Sequence, residues 1–328
     1  MLYPNKVPLE KGSFCFLTNL KNYLSYYNLK VSEPWLGGII GYMGFYYTSK
    51  PIATNEVIHG RSGNFKYLFQ YLQQQINKPL EISKLKTDME LRDRLKDMLD
   101  SLNIMLVWIN DFYLEYSPYY NLSDFWSLVL LLMVNDSSVI IFDNGIKELS
   151  LETFIKAVNC NGESTFFFTR EKILNWITSE KEVVIKGISR TISRFKSDRN
   201  NEGYYGDYGI ELFIEHLGSN IDSTKIYNLY FQMNRPGGLS LTRENMKEFC
   251  IEIEQKGFVS EIGEIKDIYT ALTDHWRKIA SLLFKLSNSR DSDLKDRIMR
   301  RIFEAREYER KGIKAWEILV KQMKGEIK

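Results

Sequence analysis

Apolar residues recur at helical spacing through Leu17, Leu20 and Leu24, directly after Cys15, and predict an amphipathic helix that stops near Asn28. The same period returns over 64–77, through Leu68, Tyr71 and Leu72, and over 87–102, through Met89, Leu91, Leu95, Met98 and Leu99. Both segments read as surface helices. Between the first helix and these two, Gly37, Gly38, Gly41 and Gly44 predict close backbone approach or tight turns, with an extended segment starting at Phe45-Tyr46-Tyr47. Three strand-like runs follow: Ile104 to Leu114, Leu128 to Val134 and Val139 to Phe142, the last two joined by Asn135-Asp136-Ser137-Ser138. The last two are almost unbroken in apolar residues, as central covered strands are.

After Ser150 the pattern becomes mainly helical. It is interrupted by a short aromatic strand candidate at Thr165 to Phe168 and by a loop from Ser197 to Gly209 rich in Asn, Gly and Asp. Two long amphipathic helices, roughly Ile265 to Leu286 and Asp291 to Met323, close the chain. Helices followed by an antiparallel sheet give an α+β amino-terminal domain over residues 1–148, and a mainly α-helical carboxy-terminal domain is expected over 149–328.

Composition narrows the function classes. With 328 residues and 44% hydrophobic content the chain can bury two cores, and Lys+Arg of 44 against Asp+Glu of 42 leaves +2, which gives no reason to expect a nucleic-acid or membrane partner. The first residues lack an apolar h-region, and Leu128 to Val134 is far too short to span a bilayer. Cys15, Cys160 and Cys250 are odd in number, widely spaced and without a CxxC pair, and with His59, His216 and His275 they do not make a zinc pattern. Free thiols in a reducing cytoplasm, with no metal and no bound cofactor, are the expectation.

The candidate chemistry centres on Cys15. A thiol on the first turn of a helix lies at the positive end of the macrodipole, which favours thiolate, and backbone N–H groups there can hold an oxyanion. The alternative for any free cysteine is a small buried core residue. Three further features keep their order behind Cys15: Ser32-Glu33-Pro34 with the glycine-rich aromatic stretch, an Asp-Phe-Tyr-Leu-x-Tyr strand end at Asp111 to Tyr116, and a hairpin ending in Asp143. That order resembles the butirosin biosynthesis protein H family. Leu149 to Ala157, the Arg235-Pro236-Gly237-Gly238 turn and Trp276-Arg277-Lys278-Ile279-Ala280 resemble its helical carboxy-terminal domain.

The resemblance implies a papain-like cysteine-protease fold related to bacteriocin-processing peptidases. It also implies acyl transfer in natural-product biosynthesis: a cysteine takes an acyl group from acyl-phosphopantetheine on an acyl carrier protein and passes it to a small-molecule amine. Cys15 then matches the nucleophile and Asp143 the acid that orients a histidine. The position of the histidine itself falls on Ser127, with Met133 in place of a family glycine. No histidine occurs between His59 and His216. Ser127 has no basicity near neutral pH, and Asp124, the nearest ionisable residue, would be a weak base that opposes a thiolate by like charge. Two readings stay open: an amide-forming thiol acyltransferase impaired by the replacement, and a non-catalytic homologue that binds a carrier protein, a product or a partner enzyme. Peptide hydrolysis, with its poor leaving group, is disfavoured.

Other residues carry weaker expectations. Asp143 alone reads equally as a turn cap, and Glu33 as a structural acid. His59 is the histidine expected in the same domain as Cys15. Lys186, Arg190 and Arg194, at i, i+4 and i+8, read as a solvated helix face or as a dock for an acidic carrier protein. Tyr204, Tyr205 and Tyr208 read as a loop that either closes on substrate or packs on the surface.

Overall fold

The computed structural model describes residues 9–12, 14–52, 55–61, 80–81, 88–121, 126–159, 166–167, 180–197, 203–219, 222–234, 237–289 and 291–327. In chain order its elements are α1 (Cys15–Tyr26), α2 (Glu33–Ile40), β1 (Met43–Ile52), β2 (Asn55–Arg61), β3 (Leu80–Glu81), α3 (Asp88–Leu102), β4 (Met105–Asn110), a 3-10 turn (Asp111–Tyr113), β5 (Trp126–Val134), β6 (Ser138–Phe142), β7 (Ile146–Ser150), α4 (Leu151–Asn159) and β8 (Phe166–Phe167). They continue with α5 (Glu180–Lys196), β9 (Tyr204–Tyr205), α6 (Gly206–Gly218), α7 (Ser223–Asn234), α8 (Leu239–Gln255), α9 (Gly263–Ser287) and α10 (Ser292–Lys324). The expected helix over 64–77 lies outside the described residues.

Helices and antiparallel sheets make the chain α+β. Its contacts divide into two compact units, Met1–Glu33 with Phe69–Ser179, and Pro34–Leu68 with Glu180–Lys328. This partition differs from the contiguous 1–148 and 149–328 expected from sequence. Segment 34–68 groups with the helices of the second half, because β1 and β2 pack on α6, α7 and α8. Segment 149–179 stays with the first, because Phe154, Ile155, Ala157 and Val158 of α4 join the core of its sheet.

In the first unit the sheet runs β4-β5-β6-β7, antiparallel throughout. The two apolar runs, β5 and β6, are its central strands. The fourth strand, β7, is absent from the sequence reading because only Leu149 of its five residues is buried, so no alternating pattern shows. Its Lys147 and Glu148 sit on the edge strand, where charge discourages pairing with another chain. Met105, Val107 and Ile109 of β4 pack with Val129 and Leu131 of β5, Val139 and Ile141 of β6, and the apolar faces of α3 and α4. The expected strand from Ile104 to Leu114 ends early, at Asn110. There the Asn110 side chain accepts from Phe112 N–H at 2.9 Å and turns the chain into the 3-10 turn, a side-chain bond that outcompetes the ladder.

Helix α1 lies against β5 and β4. Asn28, in the left-handed region at φ 62°, stops it where expected. Two side-chain bonds fix it to the sheet: Asn19 Nδ2 donates to the Leu128 carbonyl at 2.8 Å, and Gly12 N–H donates to Asn144 Oδ1 in the β6–β7 turn at 3.0 Å. Glu33 is buried and accepts from the Thr18 hydroxyl at 2.7 Å, a structural acid rather than a loop carboxylate.

In the second unit, β1 pairs with β2 and with β9. The glycine-rich stretch forms the end of α2 rather than a loop. Gly41, at φ 67°, terminates that helix through Gly41 N–H to Gly38 carbonyl at 3.0 Å and Tyr42 N–H to Gly37 carbonyl at 2.9 Å, the paired bonds of a Schellman stop. Gly38 provides the close approach that the cluster implies: a Cβ there would stand 2.3 Å from the Phe249 ring. That ring is held by Trp35 at 5.5 Å and Trp316 at 5.9 Å between centroids, so it has little room to yield. Gly38→Ala is therefore expected to destabilise the protein by about 1–3 kcal/mol, measured as a lower urea midpoint.

The Ser197 to Gly209 segment is not one loop. Tyr204 and Tyr205 pair with Tyr47 and Tyr46, and α6 begins at Gly206. Tyr205 is buried, which favours packing over closure on a substrate at that residue. Lys186, Arg190 and Arg194 lie on α5 as the spacing predicts. Arg190 donates to the Ile40 carbonyl at 2.6 Å and the Arg194 guanidinium sits 5.0 Å from the Tyr205 ring centre, so two of the three cations serve the unit's own packing. At its centre Arg243, buried, donates to Glu309 Oε1 at 2.7 Å and to the Gly44 carbonyl at 2.6 Å, while Trp276 Nε1 donates to Glu309 Oε1 at 2.8 Å. No described helix is long and apolar enough to cross a membrane.

Candidate active site

Cys15 is the first residue of α1 and is half-buried. The Gly12–Asn144 and Asn19–Leu128 bonds hold its end of the helix beside β5, where Ser127 is paired with Ile109 of β4. Cys15 Sγ lies 3.9 Å from Ser127 Oγ, with the thiol as donor. The two positions expected from the resemblance as nucleophile and base are thus adjacent, and a serine hydroxyl stands at the sulfur.

Ser127 in turn donates to Asp111 Oδ2 at 3.1 Å. Asp111 opens the 3-10 turn that follows β4, two residues beyond the partner of Ser127, so the early end of β4 places it. Ser117 also donates to Asp111 Oδ2, at 3.2 Å. The other oxygen, Asp111 Oδ1, is buried without a hydrogen-bond partner among the described residues. Burial raises the Asp111 carboxyl to about 7, and the nearby Asp143 charge adds to this; the Ser127 and Ser117 hydroxyls pull the other way without offsetting it.

Among the described residues Asp143 is bound by a phenol rather than an imidazole. It opens the turn directly after β6 and accepts from the Tyr116 hydroxyl at 3.1 Å. Its carboxyl is raised by burial, a shift opposed by the Tyr116 bond and by Lys147. Lys147 lies 5.1 Å from the centre of the Tyr116 ring. The Tyr116 phenol is pushed well up by burial and by the surrounding Asp143, Asp111 and Cys15.

The three sequence candidates therefore fall in one unit, with Cys15 and Ser127 in direct contact and Asp143 held by tyrosine. Asp111, Ser117 and Tyr116 were missed as site members. The signal for Asp111 and Tyr116 lies in the Asp-Phe-Tyr-Leu-x-Tyr strand end, which the sequence reading uses only as a family marker, and Ser117 directly follows it. Asp124 lies outside the described residues. His59, expected in the same domain as Cys15, falls instead on β2 in the second unit, which also holds His216 on α6 and His275 on α9. His275 is lowered by burial and stands 3.6 Å from Glu304, and Tyr47 packs against His216 at 6.0 Å. Cys250 is buried on α8, and burial pushes its thiol up, as for an inert core cysteine. Among the described residues no three potential metal ligands gather.

Chemically, the arrangement offers a thiol, a hydroxyl and one buried acid, Asp111, in a hydrogen-bonded series, with a second buried acid, Asp143, held by Tyr116 nearby. A neutral thiol can pass its proton along such a chain. Among the described residues a serine hydroxyl occupies the position that an imidazole takes in the thiolate–imidazolium pair of a cysteine peptidase.

Residues 15–144 match the family model described as butirosin biosynthesis protein H, N-terminal. No curated protein matches the chain.

Proposed function

Taking residues 15–144 as butirosin biosynthesis protein H-like, as the ordered motifs imply, we propose that the chain is an acyltransferase-family protein of natural-product biosynthesis that carries an acyl group on Cys15. A cysteine at the start of a helix laid on an antiparallel sheet, facing the family's base position on a strand, supports a papain-like reading of the first unit. The donor is a thioester on the phosphopantetheine of a carrier protein. Cys15 sulfur attacks its carbonyl, the carrier C–S bond breaks, and the Cys15 proton ends on the departing thiol. An amine then attacks the Cys15 thioester, the second C–S bond breaks, and the amine's proton returns to Cys15. The net products are an amide and the free carrier thiol.

The observation that carries this reading is the contact between Cys15 Sγ and the residue at the family base position, 3.9 Å apart. Thioester exchange suits a site without a histidine, because the leaving group is itself a good thiolate. Intact-protein mass spectrometry after incubation with acyl-loaded carrier protein should show one acyl adduct on the wild type and none on Cys15→Ala. An unchanged wild-type mass with active carrier overturns the reading.

A second reading, a non-catalytic homologue that binds a carrier or a partner enzyme, is favoured by one observation: the acid of the family pattern, Asp143, is occupied by Tyr116. Equal pathway activity of wild type and folded Cys15→Ala would select it.

A further inference from the structure

We propose that Ser127 and Asp111 together replace the missing histidine, with the Ser127 hydroxyl relaying the Cys15 proton to Asp111 and back. This rests on Cys15 being the acyl-carrying thiol. The donor directions already form the path: Cys15 Sγ to Ser127 Oγ at 3.9 Å, then Ser127 Oγ to Asp111 Oδ2 at 3.1 Å. As Cys15 sulfur bonds to the carbonyl carbon, its S–H bond breaks and the proton moves to Ser127 Oγ. The Ser127 proton moves to Asp111 Oδ2, which becomes a neutral acid. Collapse of the tetrahedral intermediate runs the path backwards: Asp111 reprotonates Ser127, and the Ser127 proton goes to the departing thiolate. Nothing is consumed, and only protons shift.

Three observations give Asp111 this role rather than a purely structural one. Its two hydrogen bonds come from neutral hydroxyls, Ser127 and Ser117, so no cation on them ties up the charge. Its second oxygen is buried and unpartnered among the described residues, an arrangement that favours the protonated acid the relay must produce. It is also held as a base matched to neutral pH, at about 7, roughly 10³-fold stronger as a proton acceptor than an ordinary aspartate. Among the described residues the ionisable groups around it include Asp143, whose charge strengthens it as a base, Tyr116, which binds Asp143, and Lys147, which moderates Asp143.

Single-turnover acetylation of Cys15 by S-phenyl thioacetate, followed by intact mass from pH 5 to 9, tests the relay without any natural donor. Wild-type rates should rise with a midpoint near 7 as Asp111 loses its proton. Ser127→Ala and Asp111→Asn should each slow acetylation at pH 7.5 by roughly 10²-fold or more, the usual contribution of a positioned proton acceptor. Asp143→Asn should keep the step and move its midpoint to lower pH, because it removes the charge that helps hold Asp111 up. If Asp111 and Ser127 are bystanders, removing a negative charge near the sulfur leaves acetylation equal or faster, and that sign overturns the relay. Absence of Cys15 acetylation in the wild type at every pH overturns it also. Iodoacetamide labelling of Cys15 at pH 9.5, equal in all four proteins, confirms that the variants are folded and the thiol accessible. Failure of the carrier experiment alongside an Asp111-dependent rate here would reject the acyl-carrier reading and leave the relay standing.

Discussion

Truncating Glu309 to alanine should destabilise the protein by about 3–5 kcal/mol, the usual cost of removing one partner from a buried ion pair. Arg243 and Glu309 are 1% and 3% exposed, so the guanidinium has no water to turn to. Its bond to the Gly44 carbonyl would survive, but that oxygen carries no full charge to balance it. Trp276 Nε1 would lose its acceptor as well. Two elements, α8 and α9, would thus each hold an unmet polar group at one point. Urea unfolding provides the measurement, with the midpoint dropping in proportion. The double variant Arg243→Met with Glu309→Leu should recover most of the loss, because desolvating the pair is itself costly. A single Glu309→Ala protein as stable as wild type would show that water reaches the site.

The second large effect concerns Asp111. Its carboxyl sits at about 7 in the folded chain against 3.8 as the ordinary value. The folded state therefore binds the proton more tightly than the unfolded state. Between the two values stability falls as pH rises, and above about 7 the full penalty is present, about 4 kcal/mol. Asparagine at 111 keeps an oxygen for Ser127 and Ser117 but cannot ionise. Asp111→Asn should be more stable than wild type at pH 8.5, and that advantage should shrink by about 4 kcal/mol on going to pH 4. Unfolding free energies of both proteins at the two pH values check this; a pH-independent difference would mean that Asp111 ionises at its ordinary value. Variants that gain stability while losing a proton-transfer step are the usual signature of a functional group held in an unfavourable environment.

Sequence periodicity is a good guide where one face is buried. Helices α1, α3, α9 and α10, and strands β5 and β6, follow the apolar spacing closely, since each turns a continuous stripe or run toward a core. It fails at β7, whose single buried residue leaves no pattern, and at Asn110, whose side chain ends a strand that the apolar residues would continue. The site divides in the same way. Cys15 and Ser127 can be aligned because helix start and strand have recognisable neighbours, and the family order supplies the pairing. Asp111 stands in a recognisable strand end, but its chemistry comes from burial and from a second acid 32 positions along the chain, neither of which appears in the local sequence. Cross-strand pairing of Ile109 with Ser127 brings Asp111 to the site, and that register is a tertiary fact.

The excursion of segment 34–68 into the second unit affects how the chain is born. Strand β1 leaves the ribosome long before Tyr204 and Tyr205, the strand residues it pairs with, and before α8, which supplies Phe249 to Trp35. At ordinary synthesis speeds this delay is on the order of ten seconds. For that time Trp35, Phe45, Tyr46 and Tyr47, all buried in the finished molecule, lack their late-made neighbours. A nascent chain in this condition is the natural client of a holding chaperone, and a stalled or prematurely ended message would release a product with that aromatic surface exposed.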